Sequence, residues 1–273
     1  MTDPELVPVE ERSAVLAVSG LDPSGGAGLL VDATVIRGFG LHPLTVQTGV
    51  AVQNTTRFAS RHDASPELLR EQLAVLGEEF LLGAVKTGML GTARIVEALS
   101  EWLTERPRLP LVVDPVLRAT SGGELSDLAA RAVVVQRLLP RARVVTPNLA
   151  EAASLSGRTV ERRDDVEGAA VAILGLGVEW VLIKGGHLPK GRASDFLAGP
   201  DTRLWIEETR RDDRVVRGTG CALASGIAAG LAHGESVPDA VRGAKRFVTL
   251  AIDAAYVSGR GRFLRLLPRP SEN

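Results

Sequence analysis

Short apolar runs alternate with amphipathic helical stretches along almost the whole chain, and this alternation narrows the possible folds more than any single motif does. Residues 14–19 are an apolar run, followed by a glycine-rich loop and a helical stretch over 26–39. Strand-like segments follow at 45–52, 84–86, 111–113, 143–145 and 180–183, with two more at 193–197 and 203–206. Helical spacing is read at 66–80, where Leu69, Leu73 and Leu76 share one face, and at 92–103, 125–139, 148–156, 166–176, 220–232 and 237–255. Strands alternating with helices predict an α/β fold whose mostly parallel sheet is covered on both faces. No repeat, low-complexity tract or linker divides the chain, so one domain is expected over 1–273, with residues 1–12 and 264–273 as flexible tails.

Composition removes several function classes. A net charge of −1 gives no electrostatic reason to expect nucleic acid or an anionic membrane as partner. One cysteine excludes an internal disulfide framework and a cysteine-based zinc site. With 45% hydrophobic residues the chain can bury a large core, yet it has no apolar run long enough for a membrane span. The acidic first residues do not read as a secretory signal. A cytoplasmic protein is expected.

In a parallel sheet, ligands bind beyond the carboxyl ends of the strands. The glycine-rich and polar clusters fall there: 20–28, 86–89, Asp114-Pro115, 146–151 and 184–187. A further turn, Gly218-Thr219-Gly220-Cys221, opens a helix near the C-terminus. The N–H groups of a helix start and its dipole suit a transferring phosphate, and the same field would lower the pKa of a thiol at Cys221. Close packing of glycines and a buried, inert cysteine are the competing reading. The loop from Gly20 to Gly28 lacks the grammar of a P-loop or a dinucleotide fingerprint. It suits close approach to a small ligand, with Asp22 and Asp32 as polar contacts, although Asp32 equally suits an exposed helix position. Gln53 can donate to a ring nitrogen and accept from an exocyclic amine, or simply be solvated in its turn. Met89 can lie against an aromatic ring or pack in the core. Asn148 and Glu151, three apart, suit a hydrated Mg2+ or a helix capping box. Lys184 ends an apolar strand before Gly185 in a chain with only four lysines; it can meet a phosphate or snorkel to solvent.

These segments together resemble the hydroxymethylpyrimidine/phosphomethylpyrimidine kinases of thiamine biosynthesis, within the ribokinase-like superfamily. The matching runs are 19–28, 52–55, 86–90, 113–116, 146–152, 184–188 and 218–221, in family order. The resemblance implies a three-layer α/β/α sandwich with a small β flap. It also implies ATP- and Mg2+-dependent phosphorylation of 4-amino-5-hydroxymethyl-2-methylpyrimidine and then of its monophosphate. Gln53 would read the pyrimidine edge, with Met89, Gly20, Asp22, Gly28 and Asp32 around it. Gly218, Thr219 and Gly220 would form the anion hole and Cys221 would take the hydroxymethyl proton. Lys184 and Gly185 would serve ATP, and Asn148, Glu151 and Asp114 the metal. A homodimer is expected.

Two segments depart from the family pattern. Val215-Val216-Arg217 replaces an Asn-Thr-His run before the anion hole, and the tail 259–263 lacks the usual Gly-Pro ending. Arg217 suits a substrate or nucleotide phosphate and is assigned to ATP, with a solvent-facing side chain as its rival. Pyridoxine or pyridoxal kinase is the neighbouring reading. A non-catalytic pyrimidine- or phosphate-binding protein is the third, motivated by the altered run.

Overall fold

The computed structural model describes residues 13–119, 122–185, 192–209 and 215–266. The tail at 1–12, residues 186–188 of the lysine motif and the tail beyond 266 lie outside this set. In chain order the elements are β1 (Ala14–Leu21), α1 (Gly28–Gly38), β2 (His42–Gln53), β3 (Phe58–Asp63), α2 (Pro66–Glu79), β4 (Leu82–Thr87), α3 (Ala93–Thr104) and β5 (Leu111–Val113). Then come α4 (Leu128–Val133), β6 (Val144–Val145), α5 (Leu149–Ser156), α6 (Arg163–Leu174) and β7 (Trp180–Ile183). The chain closes with β8 (Arg192–Ala198), β9 (Arg203–Thr209), α7 (Thr219–Ala232), α8 (Val237–Asp253), β10 (Tyr256–Ser258) and β11 (Gly261–Phe263). No helix among the described residues is long and apolar enough to cross a membrane.

Nine strands form one sheet in the order β3-β2-β1-β4-β5-β6-β7-β8-β9. Its middle six are parallel, and β3, β8 and β9 add antiparallel pairs at the two edges. Side chains alternate across β1 with the period of a strand. Ala14, Leu16 and Val18 enter the core under α2, α3, α4, α5 and α6, while Val15 and Ala17 enter the core under α1, α7 and α8. The sheet is thereby sandwiched, as the alternation predicts. Each fully buried aliphatic side chain contributes about 1.5–3 kcal/mol over its exposed state.

Three differences from the sequence reading have local causes. The helix expected over 125–139 starts later because Asp127 caps it, accepting from the Ala130 N–H at 2.6 Å. Beyond Val133 it widens into a five-residue π turn and then a tight turn at Leu139–Arg141, since Pro140 cannot donate to the helical ladder. Strands β3, β10 and β11 were not expected. The folded body also runs past residue 263, because Leu264 is buried in the α1/α7/α8 core.

Candidate active site

All six parallel strands end at one edge, and backbone hydrogen bonds stitch the residues that follow them into a row. Gly88 N–H donates to Val18 O, Asp114 N–H to Thr87 O, Thr146 N–H to Val113 O, and Lys184 N–H to Pro147 O, at 2.8–3.1 Å. The row fixes where Asp114 and Lys184 project. Lys184 Nζ donates to Asp114 Oδ1 at 2.9 Å, and Thr146 Oγ1 donates to the same oxygen at 3.2 Å. The start of α7 faces this pair: a Cβ placed on Gly220 would lie 3.2 Å from Lys184 Nζ and 3.9 Å from Asp114 Oδ2. Glycine here lets the helix start approach both charges. The preceding Gly218, at φ +81°, turns the chain into the helix.

Burial works against the Lys184 ammonium, but Asp114 and then Glu151 outweigh it and hold its pKa above the ordinary lysine range. Glu151 is itself buried, which pushes its carboxyl up against the opposing pull of Lys184. Asn148 and Glu151 form both halves of a capping box. Glu151 N–H donates to Asn148 Oδ1 at 2.9 Å, and Asn148 N–H to Glu151 Oε2 at 2.8 Å. The Asn148 amide oxygen and one Glu151 carboxylate oxygen each accept a bond within the box, and the acidic groups beside Lys184 are Asp114 and Glu151. Among the described residues no group of three or more His, Cys, Asp or Glu is arranged to hold an ion alone. Two buried hard-oxygen carboxylates still fit Mg2+, which keeps much of its water and takes its remaining ligands from phosphates.

Cys221, half-buried in the first turn of α7, does not carry the lowered pKa expected from its helix start. Burial outweighs the attraction of Lys86 and pushes the thiol up to about 11. Asp32 also departs from expectation. It is fully buried, Lys86 Nζ donates to both of its oxygens, and Ser225 Oγ donates to Oδ1 at 2.8 Å. It is a core ion-pair partner, with no oxygen left for a substrate. Arg217 is buried rather than solvent-facing, and its Nη2 donates to Asp22 Oδ2 at 3.4 Å.

The remaining candidates lie at the ends of β1, β2, β4 and β7. Met89 is buried with Ala51 and Leu125, beside Phe58, Val116 and Ala119, and a Cβ on Gly20 would fall 2.3 Å from its Cε. Gly20 and Met89 are therefore adjacent, as expected. Gln53 ends β2, paired with Phe58 across the β2–β3 hairpin that projects past the end of β1. Gly185 N–H donates to Asp195 Oδ1 at 3.0 Å, and Asp195 in turn pairs with buried Lys245. Sequence reasoning missed Lys86, Ser225, Asp195 and Lys245 as supports of the site. The scarcity of lysine was the available signal, since Lys86 and Lys245 are two of only four.

A sandwiched parallel sheet, with a glycine-turned helix start facing a lysine and carboxylates at its carboxyl edge, is the architecture of ribokinase-like kinases. The protein belongs to the phosphomethylpyrimidine kinase family, whose model matches residues 22–264. It is 43% identical over 247 residues to the hydroxymethylpyrimidine/phosphomethylpyrimidine kinase of Streptomyces coelicolor, covering 90% of this chain and 91% of that one. Among solved structures, phosphomethylpyrimidine kinase from Clostridium difficile superposes with a TM-score of 0.78 at 32% identity, over 88% of this chain and 100% of that one. Bacillus subtilis pyridoxal kinase in an ADP complex superposes with a TM-score of 0.86 at 30% identity, over 93% and 97%.

Proposed function

We propose that this kinase transfers the γ-phosphoryl group of ATP to the hydroxymethyl oxygen of the aminopyrimidine alcohol, and then a second group to the resulting monophosphate. The observation that carries the reading is the convergence of Lys184 and Asp114 on Gly220, at the start of the helix that bears Cys221.

Phosphoryl transfer asks a protein mainly for alignment and charge stabilisation. The N–H groups of the Gly218–Cys221 turn would meet the negative charge that develops on the transferring group, and Lys184 would neutralise nucleotide phosphate. Asp114 and Glu151 would hold Mg2+ through its water ligands. When bound, that ion offsets charge on the β- and γ-phosphates. Gln53 offers its amide to the aminopyrimidine edge while Met89 and Gly20 supply a flat apolar wall. As the acceptor oxygen bonds to phosphorus, the bond from that phosphorus to the bridging oxygen breaks and ADP leaves, and the acceptor proton passes to Cys221 Sγ, which must first be in the thiolate form. The two phosphorylations differ at this step: an alcohol acceptor brings a proton to remove, whereas a phosphate acceptor is already ionised near neutral pH.

A product-resolved assay with the pyrimidine alcohol, ATP and Mg2+ tests the reading by counting the phosphates added. Monophosphate followed by diphosphate is expected. Pyridoxal kinase is the second reading, favoured by the higher TM-score of the pyridoxal kinase fold. Exclusive turnover of pyridoxal would establish it instead. A non-catalytic role lacks support, because the altered residues before Gly218 leave the Lys184–Asp114 pair and Cys221 in place. Homodimer formation belongs to the same proposal and is checked by light scattering.

A further inference from the structure

Arg217 occupies an unusual position for a guanidinium. The residue is only 6% exposed, and its Nε is buried without a hydrogen-bond partner among the described residues. Its ion pair to Asp22 Oδ2, the one it makes among the described residues, is long at 3.4 Å. Asp22 itself organises the start of the 22–28 loop: its Oδ1 accepts from Ser24 N at 2.9 Å and Ser24 Oγ at 2.7 Å, and Gly25 N–H donates to its carbonyl at 3.0 Å. The stem of Arg217 runs directly under the same loop. A Cβ on Gly26 would come within 2.7 Å of Arg217 Nε, 3.2 Å of its Cδ and 3.1 Å of Phe263 Cε1. Behind it, Arg217 N–H donates to Arg262 O at 3.0 Å, joining the run before α7 to β11. The next residue repeats the fit, since a Cβ on Gly218 would be 2.6 Å from Gly26 O.

One side chain therefore ties the loop after β1 to the turn that opens α7, and the fit leaves no space between them. We infer that Arg217 is a positioning residue for the acceptor, latching the 22–26 loop onto the phosphoryl-receiving turn. This rests on the reading that the loop lines the acceptor pocket. It places Arg217 on the acceptor side rather than among the groups that serve ATP. The ion pair and the packing serve different ends. The flat stem under Gly26 sets the height of the loop, and the charge keeps Asp22, which shapes the loop's first turn, turned inward. Nucleotide binding is assigned to Lys184, whose ammonium meets the helix start at Gly220 rather than at Arg217, and lies outside this latch.

The test separates the acceptor from the nucleotide and packing from charge. Steady-state constants for both substrates are measured in Arg217→Met, Arg217→Lys, Asp22→Asn and Gly26→Ala, with ADP affinity by calorimetry. Loss of the charged contact in Arg217→Met should raise the acceptor KM about ten- to hundredfold while ADP affinity holds. Arg217→Lys, which keeps a charge for Asp22, should recover part of that loss. Gly26→Ala leaves Arg217 intact but wedges the loop off it, so it should raise the acceptor KM in the same way. If Arg217→Met weakens ADP binding as much as acceptor binding, or leaves the acceptor KM unchanged, the latch is wrong. Should Arg217→Met fail to fold, Gly26→Ala and Asp22→Asn decide the matter by the same ratio. Wild-type turnover is scored separately. Exclusive use of pyridoxal would overturn the proposed function, while the ratio of acceptor to nucleotide effects, measured with that alcohol, still judges the latch.

Discussion

Lys86 Nζ lies 2.8 and 2.9 Å from the two carboxylate oxygens of Asp32, and neither side chain has any exposed surface. The pair joins β4 to α1, and Ser225 adds α7 through its bond to Asp32. Ser225 follows Cys221 by four residues, so the network lies one helical turn beneath the thiol. Burial alone opposes the Lys86 ammonium, but Asp32 outweighs it and holds Lys86 above the ordinary lysine range. Removing one partner strands a buried charge. Lys86→Met should destabilise the protein by about 3–5 kcal/mol in urea titration, and Lys86→Met combined with Asp32→Leu should lose less than either change alone.

The same pair bears on thiol chemistry with opposite signs. Lys86 pulls the Cys221 pKa down and Asp32 pushes it up. In variants that remain folded, Asp32→Asn should shift the pH midpoint of iodoacetamide alkylation downward and Lys86→Met upward. Shifts of the same sign would show that the network does not act on the thiol electrostatically.

A thiol pushed up to about 11 is protonated at neutral pH, and only its deprotonated form accepts a proton. Turnover of the alcohol acceptor should therefore climb with pH from neutrality into the alkaline range. The linkage to stability runs the other way. A folded-state pKa above the unfolded value contributes stability that is present below the unfolded pKa and lost as pH rises towards about 11. Cys221→Ala should lower kcat for the alcohol by about 10²–10⁴-fold. It should affect the second transfer much less, because a phosphate monoester is already largely ionised near neutrality, its second pKa being about 6. Comparing the two half-reactions in one variant checks this without reference to overall stability.

Glu151 serves both as the third residue of a capping box and as a carboxylate beside Lys184. Glu151→Gln keeps an oxygen to accept from the Asn148 N–H but removes the charge. Thermal stability should be nearly unchanged, while half-maximal turnover should need about tenfold more Mg2+ if one carboxylate contributes a charge-assisted contact. A large fall in Tm with unaltered Mg2+ dependence would assign Glu151 to capping alone.

Gly28 begins α1 at φ +61°, and a Cβ there would fall 2.2 Å from the Gly20 carbonyl oxygen, which is backbone and cannot swing aside. Gly25 has φ +71° but open space around it. Both alanine variants bear the left-handed strain of about 1–2 kcal/mol. Only Gly28→Ala must also part β1 from α1, so its loss of Tm should exceed that of Gly25→Ala, with a matching rise in acceptor KM.

Much of this architecture could be read from the chain because its signals are local. Apolar runs such as 111–113 and 180–183 became strands with those bounds, and the Asn148/Glu151 spacing became the cap that it suggests. The unread parts depend on tertiary context. Phe58–Asp63 has little apolar patterning, and it is a strand because β2 extends beyond β1 and offers it a partner. The charge state of Cys221 was misjudged since the helix start is visible in sequence, whereas the protein closing around the thiol is not. Arg217 looks like a surface residue amid 215–217, and its burial requires Gly26 and Phe263, both distant along the chain, to meet over it.

The Asp22–Arg217 contact spans 195 residues of sequence. At synthesis rates of about 5–20 residues per second, the loop after β1 waits roughly 10–40 s for the arginine that fastens it. The first strand and helix of this enzyme thus emerge early, yet the acceptor pocket is assembled among the last parts of the molecule. A nascent chain arrested before Arg217 would carry the first strands and helices without the latch that completes the pocket, so such ribosome-bound intermediates should not yet compete for the vitamin precursor.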